Sequence, residues 1–411
     1  MALKIKRSGW FIVCIATAIN LVAALIYVWS IIASALISEY HWTSKQASLP
    51  YTVSLVAFVI SMAVFGRVLD KRGPRFTATL ASLGIGAGMI LSGVNIDPWW
   101  LVLTFGVITG SGAGILYVTT STSPVKWFPA EKNGLITGIV IAGVALATVY
   151  YSPLVHALLG AVGLAKTFIF IGLGAGLLSL LLAQFLGNPP AGFVAQSSQP
   201  EHARAASVKA VPDRTWREII KAPAFYRLWF MLAFSATSGL MIFGHAANIA
   251  RVQVNWEGGY LLVMVLSVFN VLGRLVGGAL SDRIGRVNLM RIVFILQALN
   301  MLLFSRFNSL GLLAVGIALA GLFYGATFPL FPAVMIDLYG KKNLGANYGL
   351  LNTAWGVGGV IGPMIAAAIL DSTGSYASAY SAACLLLVVA AILSVPSQPA
   401  PQALQMENTE N

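Results

Sequence analysis

Charge is what this chain of 411 residues has least of. Only 9% of the residues are Asp, Glu, Lys or Arg, where a soluble domain carries ~25%. So few charges cannot cover a water-facing surface. With 58% hydrophobic residues and a mean hydropathy of +0.83, the expected solvent for most of the chain is lipid. Cysteine is nearly absent. Cys14 and Cys384 lie in apolar runs at opposite ends, which argues against a disulfide framework and against a zinc site. Acidic residues are scarce, 13 against 25 Lys and Arg, giving a net charge of +12. That excess does not point to nucleic acid, because the basic residues sit in short loops without interleaved stacking aromatics. Also missing are H-E-x-x-H, paired mid-span acids, a nucleophile elbow and a phosphate-binding glycine loop. No enzyme activity, metal or cofactor is expected.

What the chain does have is long apolar runs. A helix needs about 20 apolar residues to cross the hydrocarbon core. Twelve such spans are predicted, near 10–38, 47–68, 76–96, 99–123, 134–158, 166–187, 226–249, 259–280, 288–306, 309–336, 345–370 and 376–396. The first run is too long for a cleavable signal core and is expected to be a permanent span. The predicted organisation is an all-α membrane protein of two six-helix bundles, 1–187 and 226–396. A polar linker at 188–225, ending in a possible surface helix, joins them, and a polar tail follows at 397–411. Lys and Arg gather on one side: Lys4, Lys6, Arg7, Arg67, Lys71, Arg72, Arg75, Lys126, Lys132, Arg283, Arg286, Arg291, Lys341 and Lys342. The other side holds Lys45, Lys166, Arg251 and Arg306. By the positive-inside rule both termini are expected in the cytoplasm.

The halves repeat. "GRVLDKRGPR" (66–75) follows span two and "GALSDRIGR" (278–286) follows span eight, and Asp70 and Asp282 are 212 positions apart. "NGLITG" (133–138) opens span five and "LGANYG" (344–349) opens span eleven, with Gly138 and Gly349 211 apart. Parallel repeats of six spans are a transporter architecture with the site near the midplane. The loop motif resembles the signature of the major facilitator superfamily. "YVWS" (27–30), "GAGILYVTTSTSPVKWFP" (112–129), "FNVLGR" (269–274) and "GANYGLLNTAWGVGG" (345–359) resemble the oxalate:formate antiporter family, which is similar to the animal monocarboxylate transporters. The resemblance implies a secondary transporter, a bacterial plasma membrane, and a gating role for Asp70, Lys71, Arg72, Arg75 and the second copy, Asp282, Arg283 and Arg286. Asp70 could face the positive N-terminal end of span eleven. The alternative is that the cations only set topology.

One residue stands out. Arg274 lies inside the apolar span eight, where a charge costs ~2.5–3.5 kcal/mol on insertion scales. A planar, permanently charged guanidinium suits a small carboxylate. No Asp or Glu lies at matching depth in another span, so the counter-ion is expected to be a substrate. The alternative is an arginine that snorkels or has a structural partner. Asn270 is one turn earlier on the same face. Depth adds Tyr27, Tyr117, Tyr324, Phe328, Asn352 and Trp355 as substrate-binding candidates, and the resemblance singles out Tyr117, Tyr324, Phe328 and Trp355 as cavity-lining. Tyr150 and Tyr151 are candidate gate aromatics at the outer end. Oxalate-carrying relatives have a Lys where this chain has Trp355, which favours a monocarboxylate such as lactate or pyruvate. Proton symport would make the cycle neutral, but animal relatives' helix-eight Asp is Asn270 here. His245 and Glu257 are the nearest titratable candidates, each with a bland reading as a packed histidine and a solvated acid. Asp337 reads as a loop charge. The partners expected are a small monocarboxylate anion, a proton and the bilayer, with a monomer sufficient. The alternatives are proton-independent carboxylate exchange and, remotely, a carboxylate sensor.

Overall fold

The computed structural model describes residues 8–25, 29–190, 192–193, 195 and 213–395. Tyr27, Lys4, Lys6, Arg7, most of the linker and the tail after 395 lie outside the described residues. Helices dominate, and no strand occurs among the described residues. Among the described residues nine helices are long and apolar enough to cross a membrane, and Gly9–Ala23, Ile31–Tyr40 and Ala377–Leu393 are shorter apolar ones. One of the nine, Ala130–Ala183, has 54 residues. At ~1.5 Å per residue it would reach about 80 Å, against a core of ~30 Å. It is two spans that fold over at Gly163, whose φ of 78° and ψ of 172° leave helical geometry. With the first two shorter helices counted as one span, the crossings among the described residues number twelve.

Span one is Gly9–Ala23 followed by Trp29–Tyr40, two helices where the apolar pattern predicted one. Span two is Ser44–Arg72, started by a Thr43–Gln46 capping box. Span three is Pro74–Ser92. Span four runs through Pro98–Leu101, a π-helical stretch Val102–Thr109 and Gly110–Thr122. Spans five and six share Asn133–Ala183. Seven to ten are Pro223–Val254, Gly259–Ile284, Arg286–Phe304 and Leu310–Tyr339. Span eleven is Leu344–Leu351 and Thr353–Thr373, interrupted at Asn352, and span twelve is Ala377–Leu393. Asp337 belongs to the last turn of span ten, not to a loop. Its carboxylate pairs with Arg286 Nε at 3.0 Å.

The repeat read from sequence is geometric as well. Gly73 and Gly285 close the two copies of the loop motif with φ of 83° and 88°, a backbone region that only glycine enters freely. Each caps the helix that follows. The spans before residue 190 form one set and those after 213 another. They meet chiefly along two pairs, span two against span eleven and span five against span eight. Small residues permit the approach: a methyl group on Gly138 would run into the Arg274 carbonyl, and one on Gly349 into the Met62 carbonyl.

Candidate functional site

The span five and span eight contact delivers Arg274 to the centre of the molecule. Its side chain is 3% exposed. Nε donates to Asn270 Oδ1 at 3.1 Å, along one turn of the same helix, and Nη1 donates to the Ile141 carbonyl of span five at 2.5 Å. The guanidinium carbon lies 4.4 Å above the Phe328 ring of span ten, a cation–π contact that strengthens away from water. None of the ion pairs among the described residues includes Arg274. The cation is oriented by neutral groups, and no acid among the described residues pairs with it.

An aromatic wall continues from Phe328. Its ring is 5.1 Å from Tyr324, edge-on. Tyr324 Oη accepts from Trp355 Nε1 at 2.9 Å. Trp355 is 5.7 Å from Phe58 of span two, and Phe58 is 5.6 Å from Tyr117 of span four. Tyr348 of span eleven is buried, accepts at its carbonyl from Asn352 Nδ2 at 3.1 Å and lies within the electrostatic reach of Arg274. The wall thus draws on both sets. Of the candidates read from sequence, Arg274, Asn270, Tyr117, Tyr324, Phe328, Trp355 and Asn352 come together here. Tyr27 lies outside the described residues. Tyr348 and Phe58 were not singled out from sequence. Both are uncharged residues in apolar runs, and depth alone does not say which face of a helix they occupy.

Beside this wall, within the first set, is a cavity of about 30 Å³ bounded by Asn20, Ala24, Phe58, Ala113, Tyr117 and Val144, among others. Asn20 is also absent from the sequence candidates. Its amide is fixed by two bonds, Nδ2 to the Val140 carbonyl at 2.9 Å and Oδ1 from Thr120 Oγ1 at 2.7 Å.

The end of the molecule that carries the loop motifs is tied shut. Asp70 accepts from the Gly345 and Ala346 amides at 3.2 and 2.8 Å. Asp282 accepts from the Gly134 and Leu135 amides at 3.0 and 2.8 Å. Each carboxylate therefore sits on the N-terminus of a span in the other set, where the helix dipole favours it. Lys126 lies 3.5 Å from Asp70. Arg286 donates to the Ala130 carbonyl at 2.6 Å and pairs with Asp282 and Asp337. Lys341, in the turn between spans ten and eleven, was counted from sequence only as a basic loop residue. Its ammonium donates to the Val125 and Phe128 carbonyls at 3.1 and 2.8 Å and to Asn133 Oδ1 at 3.2 Å, all in the other set. Burial pulls Lys341 down from the usual lysine value to about 8, against the opposing pull of Asp337. Arg67 stacks on Trp216, in the described end of the linker, at 3.6 Å.

The other gating candidates are placed differently. Lys71, Arg72, Arg75 and Arg283 are exposed. Arg75 bonds Gln184 within its own set, and Arg72 lies over Phe76. Tyr150 and Tyr151 donate to the Leu21 and Val22 carbonyls of span one, again within one set. Of the proton candidates, Glu257 is an exposed acid in a bend. His245 is tied to Tyr376 Oη and the Pro363 carbonyl at 2.9 and 3.0 Å. Neither is among the residues that surround Arg274.

Comparisons with known proteins agree with this architecture. The family model of the Major Facilitator Superfamily matches residues 11–299 and 243–408. The chain is 26% identical to the oxalate:formate antiporter of Oxalobacter formigenes over 89% of its length and 86% of the relative. It is 23% identical to monocarboxylate transporter 12 of Homo sapiens over 83% of its length and 70% of the relative. Among solved structures, the Escherichia coli fucose:proton symporter FucP superposes with a TM-score of 0.70 at 14% identity, covering 94% of this chain and 98% of that one. These relatives are transporters, not enzymes. On its repeat, its twelve crossings and the match along nearly its whole length, the chain belongs to the Major Facilitator Superfamily and is an integral membrane transporter.

Proposed function

We propose that the protein is a secondary active transporter of small monocarboxylates of the lactate or pyruvate type, working by proton-coupled symport. The observation that carries this reading is Arg274, a buried cation held by Asn270, Ile141 and Phe328 with no acid paired to it among the described residues. Leaving such a charge uncompensated in a low-dielectric interior is costly, and a substrate carboxylate is the natural counter-ion. Tyr117, Tyr324, Phe328 and Trp355 would enclose the anion. The similarity to an oxalate:formate antiporter and to a monocarboxylate transporter supports the substrate class. In this reading the loop-motif end faces the cytoplasm of a bacterium, both termini lie there, and one chain suffices. The latches of Asp70 and Asp282 release in turn with an outer closure as the two sets rock about the site.

Proton-independent exchange of one carboxylate for another is the second reading. It is favoured by the neutral, non-titrating company that Arg274 keeps. The test is uptake of labelled L-lactate into proteoliposomes, with and without an inward proton gradient, for the wild type and Arg274→Ala. Gradient-driven uptake that the variant lacks is the expected result. Uptake indifferent to the gradient but dependent on a carboxylate inside would select exchange. Equal uptake by the variant would remove the basis of both readings.

A further inference from the structure

The small cavity beside the aromatic wall shares its boundaries with the arginine. Val144 lines it and lies one turn after Ile141, whose carbonyl accepts from Arg274. Phe58 and Tyr117 line it, and Phe58 is 5.7 Å from Trp355, which joins through Tyr324 to the Phe328 ring under Arg274. A ligand whose carboxylate rests on Arg274 therefore has this space in reach for the rest of its atoms. Most of the lining is apolar, Ala24, Phe58, Ala113 and Val144 among it, and Asn20 supplies the amide.

Asn20 is 4% exposed, and its orientation is fixed. The Val140 carbonyl can only accept, so the atom facing it is the amide nitrogen. A carboxamide has two N–H donors and an oxygen with two lone pairs. One donor goes to Val140 and one lone pair to Thr120, which leaves one N–H and one lone pair for a group entering the cavity. A volume of about 30 Å³ compares with the ~10–15 Å³ that one water-sized group requires. Two or three heavy atoms fit.

We infer that this cavity is the subsite for the substrate's body, and that Asn20 selects 2-hydroxy and 2-oxo monocarboxylates of two or three carbons over unsubstituted ones. A three-carbon 2-hydroxy acid places a carbon, a methyl and a hydroxyl beyond its carboxylate. The hydroxyl can both donate to and accept from the amide, and a 2-oxo group can accept from it. The inference rests on Arg274 holding the carboxylate, and it adds which carboxylates are admitted and by what group. Asn20 is a specificity residue in this account, and the alanines set the length limit.

The experiment is competition against labelled L-lactate uptake in proteoliposomes by unlabelled L-lactate, pyruvate, propionate, butyrate and formate. Propionate has the carbon skeleton of lactate without the hydroxyl. A site that hydrogen-bonds a hydroxyl rejects the analogue lacking it, so wild type should favour lactate over propionate by about tenfold or more. Asn20→Leu should erase that preference and leave propionate competition as it was. Ala113→Val, which fills the cavity without touching the amide, should abolish labelled L-lactate uptake while labelled formate, which needs none of this space, is still taken up, and it carries the test if Asn20→Leu does not fold. Equal competition by lactate and propionate in wild type, with uptake intact, would overturn the role of Asn20 and leave monocarboxylate transport standing. Lactate uptake undiminished in Ala113→Val would overturn the placement of the subsite. If wild type neither takes up lactate nor responds to any of these acids, the monocarboxylate reading and this inference fall together.

Discussion

Arg274 uses its shape as well as its charge. Nε and Nη1 are committed to Asn270 and Ile141, and the flat face rests on Phe328, which fixes the direction of the remaining donors. A lysine would keep the charge and lose the fork and the stack. Arg274→Lys is expected to lower lactate uptake at least tenfold, and uptake at the wild-type rate would sink the bidentate account. Trp355 makes the complementary prediction. Its indole is buried and donates to Tyr324, at a position where the family resemblance implies that carriers of oxalate place a lysine. Trp355→Lys should let oxalate compete for binding; if oxalate still does not compete, a second cation is not what a dianion lacks here. Residues at this scale were unequally legible. A cation in an apolar run is conspicuous, and Asn270 follows from it by helical spacing. Asn20, Phe58 and Tyr348 carry no such mark. They become visible only when spans distant in sequence are brought side by side.

Between elements, the two copies of the loop motif join the two sets reciprocally. Asp70 caps span eleven and Asp282 caps span five, and the glycines Gly73 and Gly285 turn each chain away from the contact. The Asp70 half was legible, because a carboxylate at that end of span two could face the positive N-terminus of span eleven. The neighbouring lysines and arginines were not separable by sequence. Positive-inside residues and latch residues are the same amino acids, and only packing divides the exposed Lys71 and Arg283 from the engaged Lys126, Arg286 and Lys341. A carboxylate at a helix N-terminus contributes ~0.3–1 kcal/mol, up to ~2 when partly buried. Asp282→Asn keeps the shape and removes that charge. It should speed thiol labelling of Ser281→Cys, a buried position against Gly134, in a background without Cys14 and Cys384. A labelling rate that does not change would show that Asp282 holds nothing closed.

For the whole molecule, the described hydrogen bonds that join the two sets lie at the level of Arg274 or towards the loop-motif end, so the structure is closed on that side. Lys341 makes this closure sensitive to pH, in a direction set by burial. Its ammonium spans three acceptors of the other set, and burial lowers its pKa from 10.5 to about 8, with Asp337, Arg286 and Glu131 the charges facing it. If opening exposes Lys341 to water, the open form regains the ordinary lysine pKa and binds the proton more tightly than the closed form. Below pH 8 both forms carry the proton, and the burial cost weighs fully on closure. Between about 8 and 10.5 the closed form has released a proton that the open form still holds, so rising pH favours closure across that window. Spin labels at Lys132→Cys and Arg283→Cys, exposed positions of the two sets at this end, would report the distance. The short-distance population should grow between about pH 8 and 10.5 and lose that growth in Lys341→Met. Growth that persists in the variant would assign the titration to another group, and opening above pH 8 would reverse the sign derived from burial.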